Sequence, residues 1–281
     1  MSAANPSDYL DQNRAHWDAM VDAHWESDFY DVPGWLAGKD SLGEIELSML
    51  PRDLKAQRLL HLQCHFGQDT LSLARRGAVV TGVDLSARAV ERANELAGLA
   101  KLEGSFVHSD IYGLPQRHDA AAAYDIVFTS WGTIGWLPDL DRWAEVVDHF
   151  LAPGGVFVIA EFHPVVWMLS DDRKSFAYSY FNRGPIVDEG AQSYSGNSKE
   201  TTTEVGWNHP FGEVIGALLG RGFNLEAFEE YDYGHHDCFS DTVEVGPNRY
   251  ALKGYEGVLP ISYALRVRKP AASRQGPSPT R

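Results

Sequence analysis

From Leu59 onward the chain alternates short apolar runs with stretches whose apolar residues recur at helical spacing. That alternation predicts an α/β fold, a mostly parallel sheet with helices on both faces. The runs predict strands over 58–63, 78–83, 105–108, 124–129 and 155–161, with helices between them over 69–76, 87–100 and 139–150. Gly77 and the Pro153-Gly154-Gly155 turn stop two of those helices, one by backbone freedom and one by a missing donor. After Glu161 the alternation lapses. Residues 163–207 are rich in Tyr, Ser, Gly, Asn and Thr and too long for a plain connection, which predicts an inserted hairpin or lid. The pattern resumes with a helix over 211–221, a strand over 224–231 and a last strand over 261–267. Residues 1–50, helical in pattern from residue 7 and carrying Tyr9, Trp17, Trp25, Phe29 and Tyr30, are expected to form an amino-terminal helical lid. The α/β domain then occupies 51–269, and the Pro- and Ser-containing stretch 270–281 is expected to be a disordered tail.

Composition narrows the class. A chain of 281 residues, 44% hydrophobic and 22% charged, suits one elaborated globular domain. A net charge of −15 disfavours a nucleic-acid partner, whose nonspecific affinity rests on Lys and Arg displacing counterions, and turns the expectation to a small-molecule substrate. No run of eighteen apolar residues is present, and the start Met1-Ser2-Ala3-Ala4-Asn5-Pro6 lacks the features of a signal peptide. The expectation is a cytoplasmic protein with no membrane partner; a homodimer stays open. Cys64 and Cys238 make neither a disulfide framework nor a zinc set, and are expected to be reduced. His235-His236-Asp237-Cys238 with Glu244 lacks the i, i+4 helical pairing of zinc enzymes, and His61 and His65, which have that spacing, fall in a strand and a turn. No metal is expected.

The chemistry is concentrated in Leu59 to Ser86, laid out as a nucleotide-binding β-α-β unit. The turn after its first strand reads Gln63-Cys64-His65-Phe66-Gly67-Gln68 and should line the ligand site at the carboxyl ends of the strands. A pyrophosphate needs three glycines there, so that bare backbone N–H groups come close; Gln63 and His65 put bulk at two of those places, and no Gly-Lys-Ser/Thr follows. A nucleoside without a pyrophosphate fits better. Asp84, closing the second strand about twenty residues past the turn, suits the ribose hydroxyls, and Asp110, after the third strand, suits a purine amino group.

With LLHLQCHFG, VTGVDLS, HSDIYGLP, YDIVFTSWGTIGWLPDL, LAPGGVFVIAEFHP and the terminal LPISYALRVRKP in ordered series, the chain resembles a class I S-adenosylmethionine-dependent methyltransferase over about residues 59–269. HLQCHFGQDT and GWNHPFGEVIGALL resemble, more narrowly, a bacterial subgroup of these enzymes. The departure lies in the turn: an acidic residue is usual at His61, and glycines at Gln63 and His65. The resemblance implies a Rossmann-like seven-stranded sheet whose last strand runs antiparallel, and S-adenosylmethionine as cofactor. Its contacts would be Gln63, His65, Gly67 and Gln68 in the turn, Asp84 with Leu85, Asp110 with Ile111, Ser130 and Trp131 after the fourth strand, and Trp17 and Tyr30 on the lid. The function implied is methyl transfer to a small-molecule N or O acceptor by in-line displacement, in which alignment and exclusion of water matter most. Where the acceptor must lose a proton, His163 and His209, then Glu161, are the candidate bases. Thr129-Ser130-Trp131-Gly132 differs from the Asn/Asp-Pro-Pro-Tyr/Phe of base-amino methylases, which again speaks against nucleic acid. Two rivals remain: a nicotinamide-dependent Rossmann oxidoreductase, and a noncatalytic protein that keeps the nucleoside pocket.

Overall fold

The computed structural model describes residues 8–170, 172–191, 193–195, 201–239 and 241–271. Five strands come first: β1 (Arg58–Leu62), β2 (Val79–Asp84), β3 (Ser105–His108), β4 (Tyr124–Ser130) and β5 (Leu151–Phe162). They are followed by β6 (Ile186–Ala191), β7 (Thr202–Gly206), β8 (Asn224–Tyr231), β9 (Thr242–Gly246), β10 (Arg249–Leu252) and β11 (Ser262–Arg268). Seven of these form one sheet in the order β3-β2-β1-β4-β5-β11-β8. β11 is antiparallel to both neighbours and the strands from β3 to β5 are parallel. The order reverses at β1, so the gap between the β1 and β4 carboxyl ends is the topological switch point where open α/β sheets bind ligands.

Both faces of the sheet are covered, which is why the central strands read as nearly unbroken apolar runs. Side-chain alternation sends Leu60, Leu62, Phe157 and Ile159 into one core and Leu59, Phe128, Val158 and Ala160 into the other. The first core is closed by α7 (Leu140–Phe150), whose Leu140, Trp143, Ala144, Val147 and Phe150 follow the i, i+3, i+4, i+7 stripe and are all buried. The second is closed by α3 (Glu44–Met49) through Ile45 and Met49, and by Leu73 of α4 (Gln68–Arg75). A leucine buried in this way contributes about 1.5–3 kcal/mol by the removal of its surface from water. α5 (Ala87–Ala100) starts where the Ser86 hydroxyl accepts from Ala89 N at 3.0 Å.

Pro153-Gly154-Gly155 behaves differently from the sequence reading. α7 has already ended at Phe150 and β5 runs from Leu151, so the three residues are an irregular stretch inside the strand. Gly154 takes φ +82°, and a Cβ on Gly155 would stand 2.9 Å from Asp125 O, which is why glycine occupies both places. The pattern also gave no sign of the short α6 (Leu114–Arg117) or the β9–β10 hairpin.

Ahead of the sheet lie α1 (Tyr9–Trp25), α2 (Val32–Leu36) and α3, and the insertion holds the β6–β7 hairpin. That hairpin is tied to α1: Asn13 Nδ2 donates to Val205 O and Val205 N donates to Asn13 Oδ1, each at 2.9 Å. The expected tail begins with Pro270 and Ala271; its remainder, 272–281, and residues 1–7 of the expected lid lie outside the described residues. α8 (Phe211–Gly220) completes the helices, and among the described residues no helix is long and apolar enough to cross a membrane.

Candidate active site

Three alternate residues of the turn after β1 are left-handed: Gln63 at φ +56°, His65 at +51° and Gly67 at +75°. Gln63 and His65 adopt a conformation that costs a side-chain-bearing residue about 1–2 kcal/mol, so something must hold them. Gln63 Nε2 donates to Thr133 O at 2.8 Å, His65 N donates to Asp84 Oδ2 at 2.7 Å, and the His65 ring bonds His24 Nδ1 at 2.8 Å. Position 67 has no such latitude. A Cβ there would lie 2.6 Å from the Phe106 ring. One glycine therefore suffices in this turn, and it stands where β3 crowds the backbone.

Asp84 takes a second backbone bond, from Ser86 N at 2.9 Å, and burial pushes its carboxyl up to about 6. Asp110 Oδ1 accepts from Gly113 N at 2.7 Å. Both acids, with Leu85 and Ile111, line one cavity of about 870 Å³ opening at the switch point. Gln63, His65, Gly67, Gln68, Ser130, Trp131, Trp17 and Tyr30 share its wall, so the structure brings every expected cofactor contact to one place. Trp17 stands edge-on to the His65 ring at 5.5 Å and to Trp136 at 5.2 Å, which places α1 over the turn. Gln68 Nε2 donates to Tyr30 O at 2.7 Å. Gln63 Oε1 is buried and unpartnered.

The three candidate bases fare otherwise. His163 is absent from the cavity wall. Its Nε2 bonds Glu230 Oε1 on β8 at 2.8 Å, and its Nδ1 accepts from Val165 N at 3.1 Å, so it leaves neither nitrogen for a substrate. His209 reaches the wall, but its Nδ1 bonds Glu213 at 2.9 Å and its Nε2 bonds Leu137 O at 2.8 Å. Glu161 is a staple. Its Oε1 accepts from Gly132 N at 2.6 Å and Phe162 N at 2.7 Å, and its Oε2 from Thr133 N at 2.7 Å, Thr133 Oγ1 at 3.0 Å and Ile134 N at 3.3 Å. Burial pushes its carboxyl up while these donors pull it down. Geometry thus assigns Glu161 to the turn after β4 rather than to proton transfer, because all its acceptor capacity is spent.

Sequence reasoning missed other groups in the wall. Asp69 receives Ser130 Oγ at 3.0 Å, and burial pushes its carboxyl up to about 6. Behind it Glu46, wholly buried on α3, accepts from Trp131 Nε1 at 2.6 Å and leaves Oε2 unpartnered. Asn208 Oδ1 and the Tyr263 hydroxyl, both in the wall, are also buried without a partner. Acids inside apolar helix stripes, such as Glu46, were the one sign available. His61, where an acid is usual, bonds Thr70 Oγ1 at 2.8 Å and faces Ser130 Oγ at 3.3 Å, and burial drops its pKa to about 3, so it stands neutral.

Residues 59–155 match a family model described as a methyltransferase domain. Over that span the chain is similar to methyltransferase domains. The matched span runs from β1 into β5 and contains the turn, Asp84, Asp110 and Trp131. The chain is 40% identical over 58 residues to a magnesium-protoporphyrin O-methyltransferase of Rhodobacter capsulatus, covering 21% of this chain and 26% of that protein. It is 31% identical over 132 residues to an uncharacterized methyltransferase of Synechocystis sp., covering 45% and 59%. It thus spans less than two thirds of either relative. The fold is that of a solved S-adenosylmethionine-dependent methyltransferase from Mesorhizobium loti, with a TM-score of 0.56 and 21% identity over 83% of this chain and 100% of that one. The matched span supplies the turn, Asp84, Asp110 and Trp131 to the cavity wall, while α1, α2, the insertion and the stretch beyond β8 supply other parts of it.

Proposed function

We propose that the protein is an S-adenosylmethionine-dependent methyltransferase acting on a small-molecule N or O acceptor. The observation that carries this reading is Asp84 at the tip of β2, fixed by two backbone bonds and sharing with an unpartnered Gln63 Oε1 the wall of a cavity to which the span similar to methyltransferase domains contributes. The cofactor is S-adenosylmethionine. The residues present fit it: Asp84 offers acceptors to ribose hydroxyls, Asp110 to an adenine amino group, Leu85 and Ile111 an apolar bed, and Gln63 Oε1 an acceptor for the methionine ammonium. When bound, it supplies an electrophilic methyl group.

The chain's own part is positioning and exclusion of water. The left-handed turn fixes the backbone around the methionine end, α1 covers it with Trp17, and the Glu161 staple sets the Gly132–Ile134 stretch that follows Trp131. A proton acceptor, where the substrate needs one, is Asp69 rather than a histidine, since its carboxyl lines the cavity and sits near 6. Gln63 and His65, with side chains where a dinucleotide's pyrophosphate would approach the backbone, favour this reading over a nicotinamide enzyme. Calorimetric titration with S-adenosylhomocysteine and with NADH tests it: saturation by the first alone is expected, and saturation by NADH alone would overturn it. Transfer of radiolabelled methyl to a panel of amines and alcohols then separates an enzyme from a noncatalytic binding protein.

A further inference from the structure

The cavity is larger than its donor end, and its second lobe has a chemistry of its own. One wall is a run of aromatic rings: Trp131 and Phe162 lie 5.3 Å apart between centroids, Phe162 and Phe239 4.9 Å, Phe239 and Trp167 5.5 Å. Trp131 follows β4, Phe162 ends β5, Trp167 lies in the insertion and Phe239 in the segment after β8, and all line the cavity. Opposite in character is the charge. The whole wall carries ten carboxyl side chains against two cationic ones, Lys39, which pairs with Asp31 at 3.1 Å, and Arg173, which lies over the Phe239 ring at 5.0 Å. Asp84 and Asp110 belong to the donor end; Asp69, which accepts from Ser130 Oγ next to Trp131, stands at the ring wall.

The buried unpartnered atoms point the same way. Behind the ring wall, Glu46 has Oε1 on Trp131 Nε1 and leaves Oε2 unpartnered, and it stands close enough to Asp69 in the wall to add to the rise that burial gives the Asp69 carboxyl. Elsewhere in the wall, Asn208 gives both its amide hydrogens to Pro164 O and Ser179 O, each at 3.1 Å, and leaves Oδ1 bare. Bare buried acceptors call for a hydrogen donor, and two neighbouring carboxyls are relieved by a positive charge between or beside them. Aromatic faces attract that same charge, whereas an anion would meet a wall in which carboxyl groups outnumber the cations Lys39 and Arg173.

We propose that this second lobe takes as acceptor a hydrophobic amine, carried in as its ammonium cation, between the ring wall of Trp131, Phe162 and Phe239 and the carboxylate of Asp69. The amine rests on the methyl-transfer reading for its chemistry but not for its recognition: before its nitrogen can accept a methyl group the ammonium gives one proton to the Asp69 carboxylate, which frees the lone pair. The full-length chain, saturated with S-adenosylhomocysteine, is titrated with phenethylamine, 2-phenylethanol and phenylacetate, three probes that share a ring and differ in charge. Phenethylamine is expected to bind at least tenfold more tightly than 2-phenylethanol, and phenylacetate more weakly than both. In the near-isosteric Asp69→Asn, which can still accept from Ser130 Oγ, the amine advantage should shrink at least fivefold while 2-phenylethanol is unchanged; a melting curve matching the parent's shows the variant folded. Trp131→Phe, keeping a ring, is the second variant and should retain most of the preference. Equal binding of the three probes, no binding of any, tighter binding of phenylacetate, or an undiminished preference in folded Asp69→Asn would overturn the proposal. Should S-adenosylhomocysteine itself fail to bind, the methyl-transfer reading falls, and the same ranking measured on the unliganded chain still decides the amine.

Discussion

Glu161→Gln separates two roles for one residue, since a base and a staple respond differently to a change that keeps shape and removes charge. The carboxylate takes two donors on Oε1 and three on Oε2, four of them backbone N–H groups. Glutamine retains a single acceptor oxygen, and its NH2 must face one set of donors. In the milder orientation it faces Gly132 N and Phe162 N, two buried groups left unpaired at about 1–3 kcal/mol each. Removing a buried carboxylate, whose ionised form burial disfavours, returns part of that, so the net destabilisation is about 3 kcal/mol. For a domain of this size each kcal/mol moves the Tm by roughly 2–4 °C, and a fall of roughly 6–12 °C is expected in a calorimetric scan. S-adenosylhomocysteine binding should weaken with it, because the Gly132–Ile134 stretch lines the cavity. A base would behave otherwise: methyl transfer abolished, with Tm and binding intact. A Tm within 1 °C of the parent's would refute the staple.

Other outcomes follow from the same contacts. The Asp84 carboxyl is raised from its ordinary 3.8 to about 6, so the fold binds a proton there more readily than the unfolded chain, and in the unliganded protein this group's contribution to stability declines as pH rises between those values. Ribose hydroxyls donate to the ionised form, so S-adenosylhomocysteine affinity should rise from pH 5 to pH 7.5 with a midpoint near 6; calorimetry at both pH values checks this, and Asp84→Asn should flatten the dependence. Gly67→Ala places a Cβ 2.6 Å from Phe106 at φ +75° and should cost about 2–3 kcal/mol by urea unfolding, whereas alanine at the already left-handed His65 should not clash. Asn13→Ala removes both bonds to Val205 and should increase hydrogen exchange at β7 and in α1 by about tenfold, with exchange in β1 and β4 unchanged.

The period of the apolar residues was enough to order the sheet's strands along the chain, because a strand covered on both faces reads as an apolar run whatever its neighbours are. Leu59 and Leu60 show this: adjacent in sequence, they enter opposite cores, and both had to be apolar. The donor side of the cavity was legible for a related reason. The turn, Asp84 and Asp110 sit at fixed offsets from strand ends, and parallel pairing carries those offsets to one edge. The place of Asp84 follows from its offset alone.

Residue order and periodicity were enough for the class of fold and for the strand edge at which Asp84 and Asp110 stand. Only tertiary structure decided which polar groups are free. His163, His209 and Glu161 all fall at the expected edge, but whether a ring nitrogen or a carboxylate oxygen has a proton to take depends on what the rest of the chain brings against it. Glu230 stands 67 residues from His163, and Leu137 is 72 from His209. Glu46 meets Trp131 across 85 residues, and Asn13 meets Val205 across 192. No local pattern encodes such pairings. Periodicity records burial, a property of each residue alone, whereas a site's chemistry rests on the donors and acceptors left over once all the others have found partners.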